Sequence, residues 1–463
     1  MYDRVRHFFD YLSDKKVAFV GVGVTNTGII KLLAGKGIAV TVCERKTREQ
    51  LGALGDELEA LGVTLKLGPE HLQDIQADVI FRAPGVRYLG PELVEYRRRG
   101  VAVTSEMEVF FALCPAPIVA VTGSDGKTTT TTIISELLKA AGRKVYLGGN
   151  IGVALLPLIE EIREEDICVV ELSSFQLMSM RQSPAVSVLT NIAPNHLDVH
   201  GDMQEYIDAK KNILLHQDAF SRSVLNLDNE ITASLTPLVR GECRGFSVKS
   251  QPQRGTFLSE DDCICMALDG NVTRVLPCKD IRIPGRHNVE NYMAAIAAVW
   301  GMVPAEVIPQ VAREFGGVEH RIELTRELDG VRWYNDSIAS SPTRTIAGLN
   351  SFHQKVILIA GGYDKKIPYL PLAPKILERV KLLILLGATA PKIEDTVRSL
   401  PEYSEAALPI LHPADLAQAV EMAREQATDG DVVLFSPASA SFDLYPNFEV
   451  RGRHFKELVN GLK

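Results

Sequence analysis

A short glycine-rich segment between an apolar run and a helical pattern constrains this chain more than any other feature. Residues 121–132 read VTGSDGKTTTTT; the run PIVAV leads into them, and IISELLKAAG, with a helical pattern, follows. Glycines allow a tight turn whose N–H groups point inward, and the start of a helix adds a partial positive charge. Together with the full charge of Lys127, the segment predicts a site for an anion.

The loop GSDGKT keeps the last part of the Walker phosphate-binding pattern. Val121 stands where the pattern places its first glycine, so the strict spacing fails and the loop is shortened. A shortened loop still places Lys127 at the β- and γ-phosphates of a nucleotide and the Thr128 hydroxyl on Mg²⁺. Thr129 is the next threonine suited to touch metal or phosphate, and the others fit packed helix positions. A turn without a ligand is the alternative interpretation.

Strand and helix patterns alternate along most of the 463 residues, which predicts an α/β protein with parallel sheets. The first hundred residues and the region after Gly316 both show the alternation. The segment CPAP, residues 114–117, separates the first region from the one that carries the phosphate loop, because it fits neither a helix interior nor a central strand. The stretch from about Ser221 to Pro284 is expected to be irregular, with short strands.

A second glycine turn, GVGVTNTG, follows the first apolar strand. Its glycines, Gly21, Gly23 and Gly28, almost fit the dinucleotide fingerprint, but the last falls two residues late. Glu44 ends the next strand, where an acidic residue can bind a ribose hydroxyl. The turn therefore favours a nucleotide or sugar-nucleotide site over NAD, and a tight turn without a ligand stays an alternative.

Composition and charge exclude several classes of function. The net charge of −8 argues against a nucleic-acid partner, which requires a basic face. No run approaches the roughly 18 apolar residues that span a membrane, and the charged N-terminus lacks the apolar core of a signal peptide. Seven scattered cysteines indicate reduced thiols. We expect a cytoplasmic monomer without a membrane or nucleic-acid partner.

Acidic and histidine side chains follow strands near the phosphate loop. Glu171, in VVELSSFQL, ends an apolar strand, and a carboxylate there can face a metal. His196 and Asp198, in NHLD, follow another strand and can reach the same place. A helix-capping role for Glu171 and a structural role for His196 are the alternatives.

Seven motifs occur together in the order found in one enzyme family. GSDGKTT, ELSSFQL, NIAPNHLDVHG, YIDAKKNI, GRHNVENYMAA, EHR and YNDS resemble the Mur ligases, the ATP-dependent amino-acid ligases of peptidoglycan precursor synthesis. The ending SPASASFDLYPNFEVRGRHF, from Ser436, is similar to members that add D-glutamate to UDP-N-acetylmuramoyl-L-alanine through an acyl phosphate. The resemblance implies an N-terminal Rossmann-like UDP-binding domain (1–105), a central P-loop ATPase domain (106–316) and a C-terminal Rossmann-like amino-acid-binding domain (317–463).

The resemblance also implies a role for individual residues, grouped here by ligand. For ATP it implies Gly123, Ser124, Asp125, Gly126, Lys127, Thr128, Thr129, Asn288, Asn291, Arg321 and Asp336. For the UDP substrate it implies Val24, Thr25, Glu44, Arg45 and Asn150. For D-glutamate it implies Lys365, Ser441, Phe442 and Phe448. For two Mg²⁺ sites it implies Thr128, Glu171, His196 and Lys210, the last carbamylated by CO₂. Lys127, Glu171, His196 and Lys210 are the implied catalytic residues.

Three positions depart from the family pattern. Ile338 stands where many relatives carry a lysine, Ser340 where a threonine is common, and Ser439 where a cysteine is frequent. Ile338 matters most, because it removes a cation from the expected substrate site. Arg344, six residues later, is a candidate to replace that charge.

Other functions account for fewer of the motifs. Another Mur-type ligase or a folylpolyglutamate synthetase shares the shortened loop, although the folate enzyme lacks a separate UDP-binding domain. A nucleotide-binding protein without catalysis has no need for Glu171, His196 and Lys210 together. A dinucleotide-dependent dehydrogenase leaves GSDGKT unexplained.

Overall fold

Three β-sheets organise the part of the chain that the computed structural model describes, residues 3–194 and 200–463. They contain five, nine and six strands in chain order, and helices connect most of the parallel strands. The predicted α/β class with three sheet-containing regions is confirmed.

The first sheet is parallel throughout and has the strand order β3-β2-β1-β4-β5. Its strands are β1 (Val17–Val20), β2 (Val40–Glu44), β3 (Thr64–Leu67), β4 (Val79–Arg82) and β5 (Ala102–Thr104). The helices of this region are α1 (Asp3–Leu12), α2 (Val24–Gly35), α3 (Arg48–Leu51), α4 (Ala53–Ala60) and α5 (Pro91–Arg98). The central strands β1 and β4 are buried along their whole length, as expected where helices cover both faces of a parallel sheet.

The second sheet has the order β14-β13-β12-β11-β10-β9-β6-β8-β7, and its strands pair in parallel except for the antiparallel pairs β12–β13 and β13–β14 at one edge. Its strands are β6 (Ile118–Thr122), β7 (Val145–Gly149), β8 (Ile167–Glu171), β9 (Val186–Leu189), β10 (Arg222–Asn226), β11 (Glu242–Ser247), β12 (Gly255–Leu258), β13 (Cys263–Leu268) and β14 (Asn271–Pro277). Its helices are α6 (Glu106–Leu113), α7 (Lys127–Ala140), α8 (Ser174–Leu177), α9 (Met203–Leu215) and α10 (Glu230–Ala233). The stretch that the sequence predicted to be irregular is thus a regular extension of this sheet.

The third sheet has the order β15-β16-β20-β17-β18-β19, with an antiparallel edge pair, β15 and β16. Its strands are β15 (Glu323–Leu328), β16 (Val331–Asn335), β17 (Val356–Ala360), β18 (Val380–Leu385), β19 (Ile410–Leu411) and β20 (Val432–Phe435). Helices α11 (Arg286–Val299) and α12 (Val307–Glu314) precede it in the chain. Its own helices are α13 (Pro342–Leu349), α14 (Ala373–Arg379), α15 (Ala390–Arg398), α16 (Leu416–Gln426) and α17 (Phe448–Gly461).

The chain forms two compact units that do not follow simple sequence order. The first comprises Met1–Cys278 and Glu290–Val311, and the second comprises Lys279–Val289 and Ala312–Lys463. Inside the second unit the early segment contacts the later one. Arg313 Nη1 lies 2.8 Å from Asp280 Oδ2, and the two residues are paired as ions. The predicted boundaries at 105 and 316 stay predictions.

Inside the first unit, a buried arginine joins the first sheet to the second. Arg82, at the end of β4, is 1% exposed. Its guanidinium donates to the Phe175 carbonyl (2.9 Å) and to Ser179 Oγ (2.6 Å), both beyond β8. The Ser179 hydroxyl donates in turn to Glu108 Oε2 at 2.8 Å. The two sheets of this unit are therefore held together by a buried polar network.

Candidate active site

The phosphate loop is the turn between β6 and α7, where the sequence predicts it. Gly126 precedes the helix with a φ of +76°, in the left-handed region that favours glycine. A Cβ atom there would lie 2.4 Å from Asn291 Oδ1, so a larger residue would require the Asn291 side chain to shift. Lys127 begins α7, and its Nζ lies 2.9 Å from the Ser124 carbonyl oxygen. The lysine is thus folded back over the loop.

The segment that follows β9 fixes the shape of this loop. Asn191 Oδ1 accepts from the Asp125 backbone N–H at 3.0 Å, and the Asn191 carbonyl accepts from the Ser124 N–H at 2.9 Å. The Thr190 hydroxyl donates to the Asp125 carbonyl at 2.5 Å. Sequence reasoning missed Thr190 and Asn191. The available signal was that β9 is parallel to β6, so both end at the same edge of the sheet.

Glu171 lies beside the loop because β8 pairs with β6 in a register that places Glu171 opposite Val121. The side chain is 1% exposed. Glu171 Oε2 accepts from the Thr128 hydroxyl at 2.7 Å, and Oε1 accepts from Asn150 Nδ2 at 2.7 Å. The structure therefore brings together Thr128, Glu171 and Asn150, which the resemblance assigns to metal and substrate binding.

The oxygen atoms of Thr128 and Glu171 fit a hard cation such as Mg²⁺, which prefers hydroxyl, carboxylate and water ligands. Within residues 3–194 and 200–463, no group of three or more histidine, cysteine, aspartate or glutamate side chains is arranged to hold a metal. The predicted ligand His196 lies outside the described residues. Thr128 and Glu171, two of the four predicted metal ligands, are thus adjacent.

Lys210 is buried under the same loop, on α9, and is 1% exposed. Its Nζ donates to the Gly123 carbonyl (2.9 Å) and to Thr122 Oγ1 (3.2 Å). Burial lowers the pKa of Lys210 well below its usual value, and the nearby charge of Lys127 lowers that pKa further. The environment therefore favours the uncharged amine.

Tyr206 connects Lys210 to the phosphate loop and was missed in the sequence. Its ring lies 4.7 Å from Lys210 Nζ, and its hydroxyl lies 3.0 Å from Ser124 Oγ. The signal was the four-residue spacing in YIDAK, which places Tyr206 and Lys210 on one face of a helix.

The two predicted adenine-side asparagines have different surroundings. Asn291 Oδ1 accepts from the Thr130 hydroxyl at 3.2 Å, so this amide lies against the first turns of α7. Asn288 Nδ2 donates to the Pro284 carbonyl at 2.6 Å. Thr129, the predicted metal or phosphate contact, is 8% exposed.

Glu44, at the end of β2, lies against the N-terminal glycine turn. Glu44 Oε2 accepts from the Val22 N–H at 2.8 Å, and Oε1 accepts from the Lys46 N–H at 3.2 Å. Thr25 lies half-buried in the first turn of α2, which Val24 begins, and Arg45 is exposed beside Glu44. Asn150, assigned to the same substrate by resemblance, contacts Glu171 instead.

In the second unit, Asp336 follows β16 in a buried position. Its Oδ2 accepts from the Ser436 hydroxyl at 2.7 Å, and its Oδ1 accepts from the Ile322 N–H at 3.3 Å. Burial raises the pKa of Asp336 to about 7, against the opposing charges of Arg321 and Arg344. Arg344 Nη1 also donates to the Ile338 carbonyl at 3.1 Å. The arginine side chain therefore lies near the position where the family lysine is missing.

The residues predicted to bind glutamate lie on three segments of the second unit, and a buried arginine contacts the backbone next to one of them, Ser441. The Phe442 ring packs 6.0 Å from that of Tyr363, which lies two residues before the exposed Lys365. Phe448 begins α17, and its carbonyl accepts from Ser337 Oγ at 2.8 Å. This arginine is Arg451, which sequence reasoning missed.

Arg451 is 3% exposed. The hydrogen bonds that the structure describes for its guanidinium all go to oxygen atoms of neighbouring loops. Its Nη2 donates to the Ser337 carbonyl (2.8 Å) and its Nη1 to the Ala440 carbonyl (2.9 Å), next to Ser441. Neither contact has a local sequence signal, because the partners are more than ten residues away.

Across the described ranges, no helix has the length and apolar character needed to cross a membrane. The cytoplasmic location stays a prediction.

Comparison with known proteins identifies the family. Residues 121–299 match the Mur ligase middle domain, and residues 320–439 match the glutamate ligase domain of Mur ligases. The UDP-N-acetylmuramoylalanine–D-glutamate ligase of Acetivibrio thermocellus is 50% identical over 467 aligned positions, with 100% of both chains covered. The enzyme of the same name from Ruminiclostridium cellulolyticum is 48% identical, also over 100% of both chains.

Solved structures agree on the fold. The UDP-N-acetylmuramate-alanine ligase of Thermotoga maritima superposes with a TM-score of 0.58 at 19% identity, covering 97% of this chain and 100% of that one. A UDP-N-acetylmuramoyl-L-alanyl-D-glutamate–2,6-diaminopimelate ligase gives a TM-score of 0.56 at 17% identity, covering 92% and 93%. With relatives of 50% identity along its whole length, the chain belongs to the Mur ligase family.

Proposed function

We propose that this protein joins D-glutamate to UDP-N-acetylmuramoyl-L-alanine at the expense of ATP, in peptidoglycan precursor synthesis. The observation that carries the proposal is the 50% identity, over the full length of both chains, to an enzyme named for that reaction. The arrangement of the phosphate loop, Glu171 and Lys210 at one sheet edge supports an ATP-dependent ligation.

The chemistry explains why such an enzyme needs a phosphate site. A carboxylate does not react with an ammonium group near neutral pH. In the proposed reaction, a carboxylate oxygen of the UDP substrate attacks the γ-phosphorus of ATP, and ADP leaves. The amine of D-glutamate then attacks the carbonyl carbon of the acyl phosphate, inorganic phosphate leaves, and an amide forms. Positioning and charge compensation supply most of the rate in such a transfer.

The residues around the loop divide this work. Lys127 and the N–H groups at the start of α7 bind the β- and γ-phosphates. Their positive charge offsets the repulsion between the γ-phosphate and the carboxylate of the substrate. The Thr128 hydroxyl and the Glu171 carboxylate are adjacent oxygen ligands for Mg²⁺, which when bound neutralises part of the phosphate charge. His196 belongs to a second proposed magnesium site. Asn150 holds the Glu171 carboxylate from its other side.

Lys210 is proposed to act as a carbamate. The lowered pKa of its buried amine favours the form that has a free electron pair for the carbon of CO₂. An N–C bond forms, and the nitrogen loses a proton. The product ends in a carboxylate, which is an oxygen ligand for the second magnesium in place of a cation. The Tyr206 ring packs against the same nitrogen, with its centre 4.7 Å away.

The remaining assignments follow the resemblance and are proposals of the same kind. The UDP end of the substrate is assigned to Val24, Thr25, Glu44 and Arg45, and the ATP site is completed by Gly123, Ser124, Asp125, Gly126, Thr129, Asn288, Asn291, Arg321 and Asp336. D-glutamate is assigned to Lys365, Ser441, Phe442 and Phe448. A monomeric state is proposed as well.

Phosphate release from ATP tests the function. The full-length protein is incubated with ATP, Mg²⁺ and UDP-N-acetylmuramoyl-L-alanine, and D-glutamate, L-glutamate, meso-diaminopimelate and L-lysine are added one at a time. We expect release only with D-glutamate, together with a product heavier by one glutamyl residue. Stimulation by meso-diaminopimelate or L-lysine without D-glutamate would assign the chain to another branch of the family.

A further inference from the structure

Two cysteines of the first unit have sulfur atoms in contact. Cys114 Sγ lies 3.6 Å from Cys168 Sγ. Both are thiols in this structure. A disulfide requires a sulfur–sulfur distance of about 2.05 Å, so the two atoms are about 1.5 Å from bonding distance.

The backbone around the pair keeps the two residues side by side. Cys168 is the second residue of β8, its N–H donates to the Pro117 carbonyl at 3.0 Å, and it pairs in register with Ile118. Cys114 lies outside regular structure, directly after α6, with an extended backbone (φ −60°, ψ 120°). One sulfur is therefore carried by a buried strand, and the other by the segment that follows α6.

Exposure differs between the two thiols. Cys168 is fully buried, with 0% of its surface accessible, whereas Cys114 is partly exposed. A small oxidant in solution therefore reaches Cys114 first. Cys168, which is buried, can then react with the oxidised Cys114.

We propose that Cys114 and Cys168 form a site of reversible oxidation, at which a hydroperoxide converts the two thiols to an intramolecular disulfide. Disulfides are rare in cytosolic proteins, and those that form there are usually transient. A pair of thiols that is reduced at rest and close enough to be oxidised has this character. Neither residue has a role in the proposed ligase reaction.

The reaction proceeds in two balanced steps. The Cys114 thiolate attacks one oxygen of the hydroperoxide, the O–O bond breaks, and Cys114 becomes a sulfenic acid while an alcohol, or water from hydrogen peroxide, leaves. Cys168 sulfur then attacks Cys114 Sγ; the S–S bond forms, the S–O bond breaks, and the hydroxide leaves as water with the Cys168 proton. The two cysteines lose two electrons and the hydroperoxide gains them. A dithiol reverses the change.

The electrostatics of the pair assign the same roles. The contact with Cys168 lowers the pKa of Cys114, which favours the attacking thiolate. The contact with Cys114, followed by burial, raises the pKa of Cys168. Cys114 is thus the thiol that meets the oxidant and Cys168 the one that resolves the sulfenic acid.

The test treats the reduced full-length protein with hydrogen peroxide, unfolds it, alkylates the remaining thiols and maps the peptides by mass spectrometry. We expect two of the seven thiols to be lost, a mass decrease of two hydrogen atoms, and one cross-linked peptide pair that contains Cys114 and Cys168. Dithiothreitol should restore both thiols. The mapping uses the wild-type chain, so it does not depend on any variant folding.

Variants test the order of the steps. With Cys168→Ala, Cys114 should accumulate as a sulfenic acid that dimedone traps; with Cys114→Ser, Cys168 should stay reduced. Cys43→Ser, which removes another buried thiol of the first unit, should leave the cross-link unchanged. Sulfinic acid at Cys114 with Cys168 still alkylated in the wild-type protein, or a cross-link to a different cysteine, would overturn the proposal.

Discussion

Glu106, at the start of α6, should make the stability of the first unit fall as the pH rises toward neutrality. Its carboxyl is 1% exposed, and Oε1 accepts from the N–H groups of Leu155 (3.1 Å) and Leu156 (2.8 Å). Oε2 has no hydrogen-bond partner among the described residues. Burial raises the pKa of Glu106 from 4.5 to about 7, because the two N–H donors compensate the lost hydration of the charge only in part.

The sign and size of the effect follow from linkage. A folded-state pKa above the unfolded one means that the folded chain holds the proton more tightly. The stabilisation is therefore complete below pH 4.5 and is lost as the pH rises to about 7. The difference between 4.5 and about 7 corresponds to about 3 kcal/mol of unfolding free energy.

The assay compares wild type and Glu106→Gln in urea between about pH 4.5 and about pH 8.5. The chain has two tryptophans, Trp300 in the first unit and Trp333 in the second, so a Trp333→Phe background makes fluorescence report the first unit. We expect the wild-type stability to fall by about 3 kcal/mol more than that of the Gln variant. Glu92→Gln, at an exposed position in the first turn of α5, controls for the removal of one negative charge. Parallel pH profiles for wild type and Glu106→Gln would refute the reasoning.

Three further predictions concern the proposed reaction. Lys127→Ala should abolish turnover but leave the calorimetric affinity for the UDP substrate near normal. Lys139→Ala, on the same helix, is the active control. Loss of UDP-substrate binding in a folded Lys127→Ala variant would contradict the assignment of the two sites. Lys210→Ala should lower kcat by about 10²-fold or more, with partial recovery in formate or acetate, while Lys211→Ala should stay active; an unchanged kcat for Lys210→Ala excludes the carbamate role. Glu44→Ala should weaken UDP-substrate binding by about tenfold or more without changing the affinity for an ATP analogue. Calorimetric titration of the wild-type protein with NAD should show no heat of binding. Equal affinities of wild type and Glu44→Ala for the UDP substrate would remove Glu44 from the site.

The features predictable from sequence were those encoded in short continuous segments. The strand, the glycine loop and the helix around Lys127 are adjacent in the chain, and Glu171 ends a strand with a recognisable apolar pattern. Parallel pairing then places both at one sheet edge without further information.

The sequence predicted short strands in an irregular stretch after residue 221, but not their order in one sheet, because that sheet requires glycines, which weaken a strand signal. Gly245 and Gly255 pair directly across β11 and β12, and a Cβ atom on Gly255 would overlap the Gly245 carbonyl oxygen. Glycine is depleted in strands generally, so its presence argued for irregular structure.

Side-chain contacts between distant segments were not predictable. Ser439 was noted only as a departure from a frequent cysteine, yet its hydroxyl lies 2.7 Å from Tyr369 Oη and 2.8 Å from Thr389 Oγ1. The direction of Arg344 likewise depended on the position of the Ile338 carbonyl. Such partners are defined by tertiary packing, which local patterns do not encode.

The interleaved composition of the two units limits how the protein can be dissected. An expression fragment that begins at the predicted boundary, residue 317, omits Lys279–Val289, which belongs to the same compact unit as the rest of that fragment. It also omits the Asp280–Arg313 ion pair and the hydrogen bond from the Arg282 N–H to the Ala312 carbonyl. A C-terminal fragment that keeps the whole compact unit, for ligand screening or NMR, therefore requires residues 279–289 to be fused to the chain that starts at residue 312.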